Sequence, residues 1–117
     1  MTISEVSEKY AVSQDTLRYY ERIGLIPPVN RSNRGIRDYE QEDCKWVEFI
    51  KCMRSAGLPI EALLEYMALI QQGDETIEAR KELLIGQRRQ LQARLEEMKT
   101  TLERLDYKIA RYEHAVD

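Results

Sequence analysis

The sequence predicts a mainly α-helical protein, in which a winged helix-turn-helix domain is followed by a long dimerisation helix. Three observations support this fold class. Two short helix patterns lie three residues apart near the N-terminus, a cationic segment after them is compatible with a small hairpin, and a heptad repeat runs through the C-terminal part. The composition of the 117 residues agrees, because 33% charged and 43% hydrophobic residues suit a helical protein with a modest core.

The first two helices are marked by their capping residues. Thr2 and Glu5 form a capping-box pattern that opens a helix ending near Tyr10. Ser13 is placed as the N-cap of a second helix, and Gly24 follows its last turn as the expected left-handed residue. Two helices joined by a three-residue turn form the helix-turn-helix arrangement, whose second helix enters the major groove of DNA.

A hairpin, here called the wing (residues 29–39), is predicted after the two prolines that follow the second helix. The segment VNRSNRGIRDY places the β-compatible Val29, Ile36 and Tyr39 around a polar tip. Gly35 is expected to supply the backbone conformation that the tight turn requires.

Two further helices complete the predicted N-terminal domain. The third spans roughly residues 41–56 and ends at Gly57. Pro59 is expected in the first turn of the fourth. We therefore assign residues 1–72 to the winged helix-turn-helix domain.

The C-terminal segment, residues 76–117, carries two apolar rows with a seven-residue period. A helix of this length would extend roughly 55–60 Å at about 1.5 Å per residue. The small domain before it cannot bury so long a stripe, so the sequence predicts a homodimer joined by a coiled coil. The first row is Ile77, Leu84, Leu91, Met98, Leu105 and Tyr112, and the second is Lys81, Arg88, Leu95, Leu102, Ile109 and Val116, of which Lys81 and Arg88 interrupt the apolar pattern at its N-terminal end.

A net charge of −3 conceals a basic segment near the N-terminus. From Thr16 to Arg37 there are five arginines and one acidic residue, Glu21, which is a local excess of four positive charges. Because a local patch, rather than the total charge, binds phosphate, the segment predicts an interface with double-stranded DNA. The candidate contact residues are Ser13, Gln14, Asp15, Thr16, Arg18, Tyr19, Tyr20, Arg22, Arg31, Arg34 and Arg37.

These residues suit different parts of a DNA contact. The first residues of the second helix approach base edges, and arginine either clamps phosphate or binds guanine. Tyrosine hydroxyls can donate to phosphate oxygens, while the wing arginines reach flanking phosphates or the minor groove. The alternative is that the arginines form a solvated face and the tyrosines pack at the edge of the core.

The sequence argues against several other classes of protein. Cys44 and Cys52 lack the spacing of a metal site and His114 stands alone, so neither a metal nor another cofactor is expected. No nucleophile–base pair, glycine-rich phosphate loop or distinctive carboxylate pair indicates an enzyme. The N-terminus has no apolar signal core and no run reaches membrane-spanning length, so a cytoplasmic protein without a membrane partner is expected.

The stretches TLRYYERIGLIPP, RGIRDY, DCKWVEFIKCMRSAG and LPIEALLEYM resemble the MerR family of bacterial transcription regulators over residues 1 to about 72. The coiled coil is similar in architecture only. FIKCMRSAGLPIEAL and GDETIEARKELL are more similar to the branch that responds to aldehydes and other thiol-reactive electrophiles, the AdhR/NmlR-like regulators.

The resemblance implies a homodimer with an antiparallel coiled coil, bound to a dyad operator between two promoter elements. Activation then comes from bending and untwisting the DNA spacer, and RNA polymerase is an indirect partner that meets both elements in register. The resemblance also implies contacts from Arg18, Tyr19 and Tyr20 to the DNA backbone. It places Tyr39 at the base of the wing, and Tyr39 is counted with the candidate DNA-binding residues on that ground. Metal-sensing members carry a cysteine near the start of the dimer helix, and residues 76–80 contain none.

Cys52 is a candidate sensor thiol, because it matches the single cysteine of the electrophile-responsive branch. It falls just outside the apolar arc of the third helix, near Lys45, Glu48 and Ser55, and Lys51 and Arg54 are close to it in sequence. Neighbouring cations stabilise the reactive thiolate. The alternative is a free cysteine that packs as a small buried hydrophobe. A disulfide with Cys44 is not expected, since eight helical residues separate the two by roughly 12 Å.

Two other functions remain open from the sequence. One is an excisionase-like protein that bends DNA without regulating transcription, and the other is a coiled-coil scaffold with a helical head. The long dimerisation helix favours a regulator, because a fixed spacing between half-sites requires a rigid spacer.

Overall fold

The computed structural model describes residues 1–115 and confirms the mainly helical fold. Val116, the last member of the second heptad row, lies outside the described residues. The chain divides into two compact units, Met1–Leu83 and the segment from Leu84 onward. The helices are α1 (Ile3–Tyr10), α2 (Gln14–Ile23), α3 (Gln41–Ser55), α4 (Ile60–Gln72) and α5 (Ile77–Ala115), with a 3₁₀ turn at Asp74–Thr76.

The predicted caps of the first two helices are confirmed. Thr2 Oγ1 accepts a hydrogen bond from the Glu5 backbone N at 3.2 Å, and Glu5 Oε1 accepts one from the Thr2 N at 2.9 Å. The bonds to Thr2 hold the pKa of Glu5 below its usual value, so this reciprocal cap weakens only as acid protonates that carboxylate. Ser13 Oγ accepts from the Thr16 N at 3.1 Å, and Gly24 adopts the left-handed conformation with φ 86°.

One hydrophobic core joins the four helices of the first unit and fixes which face of α2 is outermost. Leu17 and Tyr20 of α2 belong to this core, so Arg18, Tyr19 and Arg22 are left exposed between and beyond them. The core residues with almost no exposed surface are Val6, Leu17, Leu25, Ile26, Tyr39, Val47, Ile50 and Leu63.

The wing is less regular than the predicted hairpin. A single antiparallel bridge joins Arg31 and Arg37, and the part of the chain that the structure describes contains no strand. Gly35 has the expected positive φ, 76°, in the tip between the two bridged residues. The arms are short and polar, so they offer too few paired positions to form a ladder.

The last residue of α3 and the first residue of α4 each differ from prediction by one position. Gly57, with φ 89°, follows α3 as expected, and the Leu58 N donates to the Met53 carbonyl at 3.0 Å. Pro59 is the N-cap of α4 rather than its first helical residue, with an extended ψ of 144°.

A cluster of hydrogen bonds braces the junction between α4 and α5. The buried Thr76 Oγ1 lies 2.6 Å from the Leu69 carbonyl oxygen and 2.7 Å from that of Gly73. Arg80 Nε donates to Thr76 Oγ1 at 2.9 Å, and its Nη2 donates to the Gly73 carbonyl at 2.6 Å. The end of α4 and the first turn of α5 are therefore held together by side-chain bonds.

Replacing Thr76 by valine is expected to lower the free energy of unfolding by about 1–2 kcal/mol, because a buried hydroxyl and its partners lose their hydrogen bonds at nearly constant volume. Urea unfolding at a fixed protein concentration measures the change. Thr101→Val is the matched control, since the exposed Thr101 hydroxyl also donates to a carbonyl, that of Glu97 at 3.1 Å. An equal loss in both variants would contradict the role of the junction.

Candidate nucleic-acid interface

The start of α2 presents a polar surface around Arg18. Arg18 Nη1 lies 3.1 Å from Asp15 Oδ1, and Nη2 donates to Gln14 Oε1 at 3.3 Å. The side chains of Arg18 and Asp15 are 45% and 97% exposed, so this ion pair is weak and a DNA group can replace it. Ser13 Oγ donates to Thr16 Oγ1 at 2.8 Å, so the structure brings together five predicted residues at the start of α2.

Farther along the same helix, Tyr19 and Arg22 form an exposed pair. The Arg22 guanidinium lies over the Tyr19 ring at 5.4 Å from its centroid. This contact orients a cation and a phenol on the surface next to Arg18.

The two other predicted tyrosines are buried, which agrees for them with the alternative that the tyrosines pack at the core. Burial raises the pKa of Tyr20, against an opposing effect of nearby Arg54. Burial also raises the pKa of Tyr39, whose hydroxyl has no hydrogen-bond partner among the described residues. Tyr39 is 1% exposed, so it acts as a packing residue at the base of the wing, and its hydroxyl is not presented to DNA in this structure.

The three predicted wing arginines have different environments. Arg31 Nη1 donates to the Gly35 carbonyl at 2.8 Å, which braces the tip. Arg34 is exposed, and its side chain has no partner among residues 1–115. Arg37 Nε donates to Glu21 Oε1 at 2.8 Å, and the two side chains are 22% and 17% exposed. Arg37 is therefore partly buried in an ion pair rather than fully available to DNA.

The structure adds two cations that the sequence reasoning did not include among the DNA contacts. Lys51 and Arg54 of α3 line an open cleft of about 410 Å³, which also includes Ser13, Thr16 and Tyr20. Lys51 Nζ donates to the Tyr10 carbonyl, and Arg54 Nη1 donates to the Leu58 carbonyl at 2.8 Å. Their spacing of three residues on one helix was the available signal, but only folding places them beside the first turn of α2.

The two cysteines differ in solvent exposure. Cys44 is buried and Cys52 is exposed, and both are free thiols. The exposure of Cys52 removes the alternative that it packs as a small buried hydrophobe. Within residues 1–115, no group of three or more His, Cys, Asp or Glu side chains is arranged to hold a metal ion.

None of the helices in the described part of the chain combines the length and apolar character needed to cross a membrane. The longest, α5, has charged residues distributed along its whole length and no buried residue.

Comparison with known proteins identifies the family. Residues 1–70 match the family described as MerR HTH family regulatory protein, and residues 44–107 match the family described as MerR, DNA binding. The HTH-type transcriptional regulator AdhR of Bacillus subtilis is 58% identical over 91 residues, which are 78% of this chain and 65% of the relative's length. An uncharacterized HTH-type transcriptional regulator of Haemophilus influenzae is 32% identical over 97% of this chain and 84% of its own.

Solved structures agree with this assignment. A protein of Listeria monocytogenes, described as a MerR family transcriptional regulator, is 52% identical with a TM-score of 0.94, over 97% of this chain and 86% of its own. HiNmlR, a MerR family regulator lacking the sensor domain and bound to promoter DNA, is 32% identical with a TM-score of 0.88, over 97% of this chain and 90% of its own. These relatives are regulators and not enzymes. The chain therefore belongs to the MerR family of DNA-binding, helix-turn-helix transcriptional regulators.

Proposed function

We propose that the chain acts in the cytoplasm as a homodimer, which binds a dyad operator in a promoter spacer and activates transcription by bending and untwisting that DNA. Residues 1–72 form the DNA-binding domain and residues 76–117 the dimerisation helix of an antiparallel coiled coil. RNA polymerase is affected indirectly, because reshaped DNA presents both promoter elements in register.

The observation that carries the proposal is the exposed apolar stripe of α5. Its side chains are between 38% and 73% exposed in the single chain, although they follow the two heptad rows of the sequence. So long a stripe is covered in solution by a partner with the same period, and a second copy supplies that partner. The stripe residues are Leu91, Leu95, Met98, Leu102, Leu105, Ile109 and Tyr112.

In the proposed complex the first turns of α2 lie in the major groove. Gln14, Asp15, Thr16 and Arg18 approach base edges, and the Tyr19–Arg22 pair contacts phosphates. Arg31 and Arg34 of the wing reach flanking phosphates. These assignments follow from exposure and from the family.

The cleft between α2 and α3 extends the proposed contact. The positive end of the α2 dipole and the Lys51 and Arg54 cations favour a phosphate there. Tyr20 also lines this cleft, and its phenolic O–H, which is protonated at neutral pH, is a donor for that phosphate.

A footprint on the intergenic DNA adjacent to the gene tests this proposal. We expect protection that is symmetric about a dyad, with the central base pairs exposed on the distorted face. Circular permutation of the same fragment should show a bend. Protection of one half-site alone, or a straight fragment, would contradict the proposed dimer and its mode of activation.

We also propose that Cys52 responds to thiol-reactive electrophiles. Its thiol is exposed on α3 between Lys51 and Arg54 in sequence, and both cations line the cleft at α2. Similarity to AdhR supports this proposal. Attack of the thiolate on an aldehyde carbonyl forms a carbon–sulfur bond, and the oxygen takes up a proton, which adds bulk on the exposed face of α3.

Cys52→Ser is expected to abolish the induction of a promoter reporter by aldehyde, while operator binding without aldehyde stays within about twofold of the wild type, since the thiol is exposed. The matched control is Cys44→Ala, which removes the buried thiol and should retain induction. Equal induction in wild type and Cys52→Ser would exclude a switch at this thiol.

A further inference from the structure

An acidic residue lies within the basic segment of the DNA-binding surface. Glu21 of α2 is the only acid between Thr16 and Arg37. Considered by charge alone, such a residue opposes the binding of phosphate, and its removal should strengthen DNA binding. Its side chain is only 17% exposed, which indicates a role inside the fold.

The Glu21 carboxylate binds both arms of the wing. Oε2 accepts a hydrogen bond from the backbone N of Val29, where the first arm begins, at 3.2 Å. Oε1 accepts from Arg37 Nε on the second arm at 2.8 Å. Arg37 is also the residue bridged to Arg31 across the wing. One side chain of α2 thus joins both arms at the point where the wing leaves the domain.

These bonds are well suited to fix an orientation. Both involve an ionised acceptor, and such hydrogen bonds are stronger than neutral ones. The partial burial of Glu21 and Arg37 reduces screening of their attraction by salt. The wing has only one bridge of its own, so its direction depends on this external attachment more than that of a regular hairpin would.

We infer that Glu21 is a positioning residue for DNA binding, which holds the wing against α2 so that the wing arginines and the recognition helix reach the same duplex in register. This inference rests on the proposed DNA-binding function. In this inference, Arg37 Nε serves to attach the wing to Glu21. Arg34, at the tip, remains exposed, and the attachment sets its position relative to the DNA. Simple electrostatics predicts that loss of a negative charge strengthens binding to a polyanion. The inference predicts instead that loss of the Glu21 charge weakens DNA binding.

The test compares Glu21→Gln with the wild type on a labelled duplex of the adjacent intergenic DNA. Glutamine has one acceptor oxygen, so it can bind Arg37 or Val29, while its NH₂ group faces the other donor. We expect binding that is at least about tenfold weaker, with a shallower salt dependence because wing contacts to phosphate are lost. Hydroxyl-radical footprints should lose protection at the outer phosphates and keep it at the recognition helix.

Glu8→Gln is the matched control. Glu8 is an exposed acid on α1 whose side chain makes no hydrogen bond or ion pair within the described residues, so this variant changes the net charge equally without touching the wing. It is expected to bind as the wild type or slightly more tightly. The helical circular dichroism signal and the unfolding midpoint show whether Glu21→Gln remains folded.

A second variant, Arg37→Gln, breaks the attachment from the side of the wing. If Glu21 acts through Arg37, the double variant should bind no more weakly than the weaker single variant, whereas independent effects would multiply. The inference is overturned if folded Glu21→Gln binds as tightly as Glu8→Gln with an unchanged footprint. Failure of the wild type itself to bind the duplex would instead overturn the proposed function.

Discussion

Replacing Leu102 by glutamate is expected to raise the dissociation constant of the dimer by at least about 100-fold, since each of two copies loses apolar burial and places a carboxylate in the seam. Leu102 is 59% exposed in the single chain and lies in the middle of the stripe. Operator binding should weaken in parallel, because two half-sites then bind without the gain in effective concentration that a dimer provides. Sedimentation equilibrium measures the first effect and a gel-shift titration the second.

Thr100→Glu is the matched control for this prediction. Thr100 is exposed and lies two positions from Leu102, which places the two side chains on opposite faces of the helix. The same charge introduced there should leave the dimer intact. A wild type that sediments as a single chain, or a Leu102→Glu variant that remains dimeric, would contradict the proposed interface.

Arg18→Ala is expected to weaken operator binding by about 100-fold or more, because a contact of about 1–3 kcal/mol is lost in each of two half-sites. Arg18 is held near the first turn of α2 by exposed partners that compete only weakly with DNA. If the contact is to phosphate, the salt dependence should become shallower by about one counterion for each copy. A contact to guanine would instead relax the preference at one base pair.

Lys45→Ala provides the control for Arg18→Ala. Lys45 is an exposed cation on α3 and pairs with Glu42 three residues earlier at 3.7 Å, as Arg18 pairs with Asp15. The variant removes one positive charge outside the proposed interface and should bind within about twofold of the wild type. Similar losses in both variants would mean that net charge, rather than the position of Arg18, governs binding.

The features that were predicted correctly depend on local chemistry. The capping box at Thr2, the N-cap at Ser13 and the left-handed Gly24 are each determined by residues within a few positions, so their sequence spacing was sufficient. The length of α5 followed in the same way from a heptad repeat. The 3₁₀ turn Asp74–Thr76 was not predicted, and the side chain of Thr76 at its end bonds to a carbonyl as distant as that of Leu69.

The candidate site was less predictable, because its side chains are arranged by contacts distant in sequence. Tyr39 was expected near DNA, but the core formed by all four helices buries it. Arg37 was counted with the wing cations, yet an acid sixteen residues earlier binds it. Lys51 became a candidate only when α3 packed beside α2. In each case the residue type was compatible with a role in DNA binding. The orientation of the side chain, however, is determined by the tertiary fold.

The braced junction between α4 and α5 has a consequence for the choice of target. The bonds of Thr76 and Arg80 join the end of α4 to the first turn of α5, so the proposed dimer would have no loose tether at this junction. We expect such a dimer to discriminate among targets by the helical phase of their two halves as well as by their bases. One additional base pair between the halves would rotate the second half by about 34° around the double helix and so weaken binding.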